Sequence, residues 1–296
     1  MSLTSDKRAL LTGATGFIGS HLVRRLHAEG WDTHVIVRPQ SEGAALQQTL
    51  GGEHVHIHDG TTENMLAIVG TARPTAIFHL ASLFLAQHQS KDIVPLIRSN
   101  VEFGTQLAEA AAVHKVPHFI NTGTAWQHYG DEAYNPVNLY AATKQAMGDI
   151  LRFYAEAGAF RVTNLELFDT YGPGDARPKL FSVLRQAAAS EKPLGMSDGR
   201  QLIDLVYIDD VIEAYIGAER AAGGAFETYG VSSGSPLPLR QVVELWQRVM
   251  GRVVRVEWGA RAHRNREVMR PWGGGRLVPG WEVRVKLEEG LRRTGG

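Results

Sequence analysis

Tyr140 and Lys144 stand four residues apart in YAATK, the spacing that puts two side chains on one face of a helix. A phenol with its ordinary pKa of about 10 is a poor base at neutral pH, and a neighbouring ammonium favours its ionised form. Bringing it near 7 takes about 4 kcal/mol of differential stabilisation, much of which an adjacent cation in a dry site supplies. Such a pair can pass a proton to or from a sugar or alcohol oxygen. Upstream, NTGTAWQHYG carries Thr124, a small hydroxyl able to hold the reacting oxygen, with Thr122 as its competitor. Trp126 and His128 follow directly and are candidates to shape a substrate pocket. By itself the Tyr-Lys spacing is common on helix surfaces, so its meaning depends on the frame that holds it.

That frame opens with TGATGFIGSHL, residues 12–22, where Gly13, Gly16 and Gly19 recur every third position behind a short apolar run. A strand leading into a helix leaves unpaired N–H groups at the positive end of the helix dipole, a ready anion site. Gly13 permits a tight turn, Gly16 close approach of a pyrophosphate, and Gly19 close packing of helix on sheet. Gly13, Thr15, Gly16, Phe17, Ile18 and Gly19 are the expected cofactor-binding residues of this turn. The second strand ends at Arg38 with Ser41 nearby, where NAD sites usually have a ribose-binding carboxylate. Asp32 lies at the wrong end of that strand for the role. A guanidinium there suits a 2′-phosphate, so NADP(H) is expected, with NAD(H) as the alternative. Asp59, beside Gly60, is placed to accept from the adenine amino group.

Stepping along the chain, strands are expected at 8–12, 33–38, 55–59, 76–81, 118–123 and 162–168, with helices at 17–29, 101–115 and 138–155. Gly30 closes the first helix. This alternation predicts an α/β fold, a Rossmann doubly wound parallel sheet with a smaller C-terminal α/β substrate domain. The regularity breaks at YGPGDARP, so residues 1–169 are assigned to the NADP-binding domain, with 202–231 returning to it as a strand and helix. Residues 170–201 and 232–296 are assigned to the substrate-binding region. SSGSPLPL precedes a helix with Val242, Val243, Trp246 and Val249 on one stripe, ERAAGGA at 219–225 reads as a helix end, and 280–293 as a final amphipathic helix.

Lys plus Arg equals Asp plus Glu at 31 each, which gives no basic excess for nucleic acid. With 44% hydrophobic and 21% charged residues the mixture is that of an ordinary globular chain. There is no cysteine, which excludes disulfides, Fe–S clusters and thiolate zinc sites. The start MSLTSDKRAL lacks a signal-peptide core, and no run reaches the ~18 apolar residues of a membrane span, so a cytoplasmic protein without membrane partners is expected. His54, His56 and His58 alternate along an expected strand, but the only carboxylate in view is Asp59, already wanted elsewhere, and no metal is expected.

Taken together, the glycine turn, Thr124, Tyr140 and Lys144 resemble the extended short-chain dehydrogenase/reductases, the NAD-dependent epimerase/dehydratase family. FHLAS (78–82), SNVEFGTQLAEAA (99–111), LFDTYGPGD (167–175), VYIDDV (206–211) and NRE (265–267) extend the likeness over most of the chain. The resemblance implies a Thr124/Tyr140/Lys144 triad, cofactor contacts at Leu80, Ala81, Ser82, Asn100 and Thr122, a nucleotide-sugar substrate, and a homodimer formed through helices near 100–114 and 138–155. Sugar 4,6-dehydratases of the family follow the threonine with Asp-Glu; here Ala125 and Trp126 stand there, which argues against dehydration. The motif series is most similar to the CDP-abequose synthase type, and this implies NADPH-dependent reduction of a C4 ketone on a nucleotide-linked deoxysugar. A 4-epimerase and a non-catalytic NADP-sensing regulator are the competing expectations. Asp169 stands where the family commonly has Asn, so it is expected to bind the sugar or be screened by a cation, and Ile203 stands where the family has Arg, so Arg200, Lys179 or Arg266 is expected to replace that substrate-phosphate contact.

Overall fold

The computed structural model describes residues 7–41, 44–273 and 275–295. The first six residues of the amino-terminal stretch read for a leader lie outside them. In chain order the elements are β1 (Arg8–Thr12), α1 (Phe17–Ala28), β2 (Asp32–Val37), α2 (Ala44–Leu50), β3 (Val55–Ile57), α3 (Thr62–Ala72), β4 (Ala76–His79), α4 (Ile93–Ile97), α5 (Phe103–Val113), β5 (His118–Thr124), α6 (Leu139–Glu156) and β6 (Arg161–Leu167). They continue with β7 (Asp169–Tyr171), α7 (Leu180–Ala188), β8 (Leu194–Met196), β9 (Leu202–Ile203), β10 (Leu205–Tyr207), α8 (Ile208–Arg220), β11 (Phe226–Val231), β12 (Leu237–Pro238), α9 (Leu239–Met250), β13 (Val256–Trp258) and α10 (Leu287–Thr294).

Seven strands form one sheet in the order β11-β6-β5-β4-β1-β2-β3, and every pair is parallel. The chain runs outward from β1 through β2 to β3, then returns to β4 on β1's other side. Their connections therefore leave in opposite directions, and a crevice opens beyond the strand ends between β1 and β4. Both faces of the sheet are covered, as parallel sheets require. Alternate strand residues feed two cores: Ala9, Leu11, Val35, Phe78 and Ile120 pack on the α1/α8 side. Leu10, Ile36, Ile77 and Phe119 pack on the α3/α5/α6 side. No helix among the described residues is long and apolar enough to cross a membrane.

Several boundaries differ from the sequence reading, each for a long-range reason. The fourth strand stops at His79 because the buried Thr12 hydroxyl accepts from the backbone N–H groups of Leu80 (3.2 Å) and Ala81 (3.1 Å), turning the chain toward the crevice. A wide helical turn at Arg98–Glu102 precedes α5, so the regular helix begins later than its periodicity suggests. The strand expected at the start of 202–211 does not join the central sheet. Leu205–Tyr207 pairs with Asp169–Tyr171 in a separate two-stranded sheet, and the seventh strand is Phe226–Val231. The final helix begins seven residues later than expected, at Leu287. Residues 281–285 stay outside the helix because Trp281 donates to the Asp210 carbonyl (2.8 Å) and the N–H groups of Arg284 (3.2 Å) and Val285 (2.9 Å) donate to its carboxylate. The alternation Trp-Glu-Val-Arg-Val is the period-2 signal that could have revealed this.

Candidate active site

The glycine turn forms one wall of the crevice. Gly13 has φ +74°, and a Cβ there would lie 2.8 Å from the Ala81 nitrogen; a Cβ on Gly19 would lie 2.1 Å from the Gly13 carbonyl oxygen. Helix α1 therefore packs too closely on the turn for any side chain. Gly16 stands at its N-cap with no side-chain cap and no acidic residue in the first turn, which leaves backbone donors for an anion. Arg38 is exposed just past β2 and makes no side-chain hydrogen bond or ion pair with the described residues. The Asp59 carboxylate is instead taken locally, accepting from the Thr61 N–H (2.8 Å) and hydroxyl (2.7 Å), so its bonding at the adenine would compete with that turn.

The structure brings the three expected catalytic side chains together at the strand ends. Asn138 caps α6 by accepting from the Ala141 N–H at 2.9 Å, and its amide donates to the Ala86 carbonyl at 3.0 Å, tying the helix start to the loop after β4. That cap sets the rotation of α6 and presents Tyr140 and Lys144 to the crevice. Thr124 is the last residue of β5; its backbone N–H donates to Gln127 Oε1 at 2.9 Å and its hydroxyl accepts from the Trp126 N–H at 3.3 Å. The Tyr140 hydroxyl is hydrogen-bonded within the pair Ser82 and Thr124, and its ring meets Phe84 edge-on at 5.0 Å.

Electrostatics depart from the sequence expectation. Burial pushes the Tyr140 phenol up to about 12, only partly offset by the Ser82 and Thr124 hydrogen bonds and by Arg177. Burial alone pulls the Lys144 ammonium down to about 8. Lys144 is almost fully buried and makes no hydrogen bond or ion pair with the described residues. The phenol is therefore not primed as a base in the free protein; it holds its proton, and the lysine waits for oxygen acceptors.

A crevice of about 1710 Å³, counted with its open mouth, is lined by Ile18, Leu80, Ser82, Thr122, Tyr140 and Lys144 on the sheet side. Phe84, Trp126, Phe168 and Trp272 give it an aromatic wall. His128 also lines it, stacked on Trp272 at 3.9 Å and bonded to the buried Glu166 carboxylate at 2.8 Å. Burial works against the imidazolium, but the Glu166 contact prevails and raises the His128 pKa. Glu166 also accepts from Gln127 (3.2 Å), so the residue that pins Thr124 and the one that tilts His128 share one buried carboxylate. Neither Gln127 nor Glu166 carries a sequence signal beyond its place near the triad.

An adjoining lobe holds Arg177, Lys179, Arg185 and Arg264. Lys179 bonds Asp169 at 3.0 Å, which answers the charge of the unusual aspartate. Arg177 is held by Asp175 (2.7 Å) and stacks 4.5 Å over Phe17, and Arg264 pairs with Glu267 (2.6 Å) and lies 5.5 Å over Trp126. Sequence reasoning missed Arg177 and Arg264. It chose Arg266, which instead turns away, donates to Asn135 and to the Pro136 carbonyl (3.1 Å), and covers the Tyr129 ring at 4.2 Å. The cause is the backbone: Arg266 has φ +56°, a reversal that swings alternate side chains of the loop apart. Arg200 is also displaced from the expectation; it pairs with Asp198 and is 78% exposed. Asn100 faces no ligand space, because its amide is spent on Leu83 (2.7 and 3.0 Å) and Thr143 (3.0 Å) and its oxygen also accepts from Ser82 (3.2 Å). It is a scaffold for the Ser82 loop.

Comparison with known proteins gives a consistent picture. The sequence model of the NAD dependent epimerase/dehydratase family matches residues 9–231. The chain is 25% identical to a CDP-abequose synthase of Salmonella muenchen, with 98% of each chain covered. It is 28% identical to a UDP-glucose 4-epimerase of Mycolicibacterium smegmatis over 97% of each. Among solved structures it superposes on a UDP-glucose 4-epimerase of Thermotoga maritima, crystallised with UDP-glucose, at a TM-score of 0.84 with 23% identity and 97% of each chain covered.

Proposed function

The chain belongs to the NAD dependent epimerase/dehydratase family and is an oxidoreductase of the extended short-chain dehydrogenase/reductase type, and from that premise we propose that it reduces the C4 ketone of a nucleotide-linked 4-keto-deoxysugar with NADPH. The observation that carries this reading is Arg38: an exposed guanidinium past the C-terminal end of β2, with no side-chain partner among the described residues, where a ribose 2′-phosphate would fall. A site selecting NADPH suits a net reduction with exchange of coenzyme at each turnover. The full-length similarity to CDP-abequose synthase supports the same direction.

The rest of the site fits the coenzyme. The uncapped start of α1 offers donors to a pyrophosphate, and the Lys144 ammonium, without a partner among the described residues, suits the hydroxyls of a nicotinamide ribose. NADPH, when bound, supplies the hydride. Tyr140 holds its proton at neutral pH and donates it to the developing C4 alkoxide. Thr124, fixed by Gln127, bonds the same oxygen and keeps it in line with the phenol. Lys144 draws the phenolate charge that forms. Ala125 and Trp126, next to Thr124, carry no group that could expel water from the sugar. The wall of Phe84, Trp126, Phe168 and Trp272 suits a deoxysugar, whose missing hydroxyl leaves an apolar edge. The cationic lobe, with four cations against the carboxylates of Asp169, Asp175 and Glu267, suits the diphosphate. Val113 on α5 and Phe153 on α6 are exposed apolar side chains on helices in mutual contact, which supports a homodimer through these two helices.

The decisive test is absorbance loss on mixing protein and NADPH with a panel of 4-keto nucleotide sugars. One NADPH consumed per alcohol formed supports the reductase. Interconversion of 4-epimers with no net coenzyme change supports the second reading, a 4-epimerase, which the Mycolicibacterium relative favours. Arg38→Ala should weaken NADPH by about 10- to 100-fold, the worth of charge-assisted hydrogen bonds, and leave NADH unchanged. Equal effects on both would remove the coenzyme assignment. Arg264→Ala should raise KM for the nucleotide sugar about tenfold or more with little change in kcat, whereas Arg266→Ala should leave KM within about twofold.

A further inference from the structure

A cluster remote from the crevice has no part in the reaction just described. Asp32 and His34 occupy alternate positions at the start of β2 and so face the same side of the sheet. Strands β2 and β3 pair with Val35 opposite Val55 and Ile36 opposite His56, which brings the turn residue His54 beside His34 and sets His56 on the same side. His54 Nε2 lies 2.9 Å and His34 Nε2 3.4 Å from Asp32 Oδ1, and one ligand atom from each of the three residues lies within 4.8 Å of the others. Ligand atoms about 2.0–2.1 Å from a tetrahedral ion are themselves about 3.3 Å apart, so these spacings need only small adjustment. His58, by contrast, turns toward Asn64 (3.2 Å) and stays outside the group.

We propose that Asp32, His34 and His54 bind a divalent transition-metal ion of the zinc class, with the fourth position open to water. Two imidazoles and one carboxylate form a borderline donor set that favours such ions over magnesium or calcium. The surrounding partners orient each ligand. His56 Nε2 stands 3.0 Å from His34 Nδ1, so it can accept the N–H that His34 carries when Nε2 binds metal. His54 Nδ1 is buried without a hydrogen-bond partner among the described residues, and Glu53 Oε1 lies 3.5 Å from it. Asp32 keeps Oδ1 for the ion while its Oδ2 faces Arg8 Nε at 3.4 Å. The group sits at the N-terminal ends of the outer strands, about 17 Å along β2 from Arg38 by strand rise, so an ion there would clamp the sheet edge.

The test uses tag-free protein stripped with a chelator and dialysed, with Zn²⁺ titrated calorimetrically and Co²⁺ followed by its visible absorption. The expected result is one ion per chain, a Co²⁺ spectrum of low coordination number, and a Zn²⁺-dependent rise in melting temperature. His54→Ala and Asp32→Asn should each weaken binding at least tenfold and lose the melting shift, while His58→Ala keeps both. Circular dichroism melts without metal establish that each variant is folded. No saturable binding, or the same affinity in the folded His34→Ala/His54→Ala double variant, overturns the proposal. Turnover does not enter the readout, so this result is separate from the fate of the reductase reading.

Discussion

Tyr140→Phe protein should bind NADPH as the parent does and turn over a 4-keto nucleotide sugar about 10²- to 10⁴-fold more slowly, the usual worth of a positioned general acid. The substitution removes one hydroxyl and little else. The ring keeps its edge contact with Phe84 at 5.0 Å, and Ser82 and Thr124, which both reach the phenol, are left to each other. No other group takes over the proton. Thr124 has no acidity at neutral pH, and the crevice imidazole, His128, is tied to Glu166 at 2.8 Å. The measurement is single-turnover reduction alongside NADPH binding by fluorescence. A Phe variant with more than about a tenth of parental turnover would remove Tyr140 from the chemistry.

The second large effect separates stability from activity. Burial holds the Lys144 ammonium at about 8, below its ordinary 10.5, and no partner among the described residues compensates. In the unfolded chain the lysine takes up its proton near its ordinary pKa, and in the folded chain only near pH 8. As pH falls through that window the unfolded state binds more protons, so stability drops, and below about 8 the cost is complete at roughly 3 kcal/mol. Lys144→Met keeps the length of the side chain and removes the charge. It should therefore melt several degrees higher at pH 7 and lose that advantage above about pH 10. The same variant should bind NADPH about tenfold more weakly, for want of the proposed ribose contact, and reduce substrate at least 10²-fold more slowly. Parental kcat/KM should fall as pH rises through about 8, because the phenolate formed at Tyr140 then has no ammonium beside it. A Met variant no more stable than the parent at pH 7 would mean that the ammonium is solvated in solution.

Local sequence determined much of this protein. The repeat of Gly13, Gly16 and Gly19 behind an apolar strand admits one close-packed strand-turn-helix, because a Cβ at the first or last position would collide with backbone. The alternation of apolar strands and amphipathic helices dictated a parallel sheet covered on both faces. The four-residue interval from Tyr140 to Lys144 placed both on one side of α6, since a helix repeats faithfully over so short a span. What periodicity does not encode is where a loop points its side chains. Arg264 faces the crevice and Arg266 faces away because of one left-handed backbone residue and a pair with Glu267, neither visible in composition or spacing. Asn100 serves the protein rather than a ligand because Leu83 and Thr143, distant in sequence, meet its amide. The same holds for ionisation: a lysine four residues on suggests a lowered phenol, yet desolvation, which only the packed structure sets, raises it at Tyr140. The joining of Asp32 and His34 to His54 required knowing that β2 and β3 are neighbours in register, information that resides in the pairing of strands and in neither segment alone.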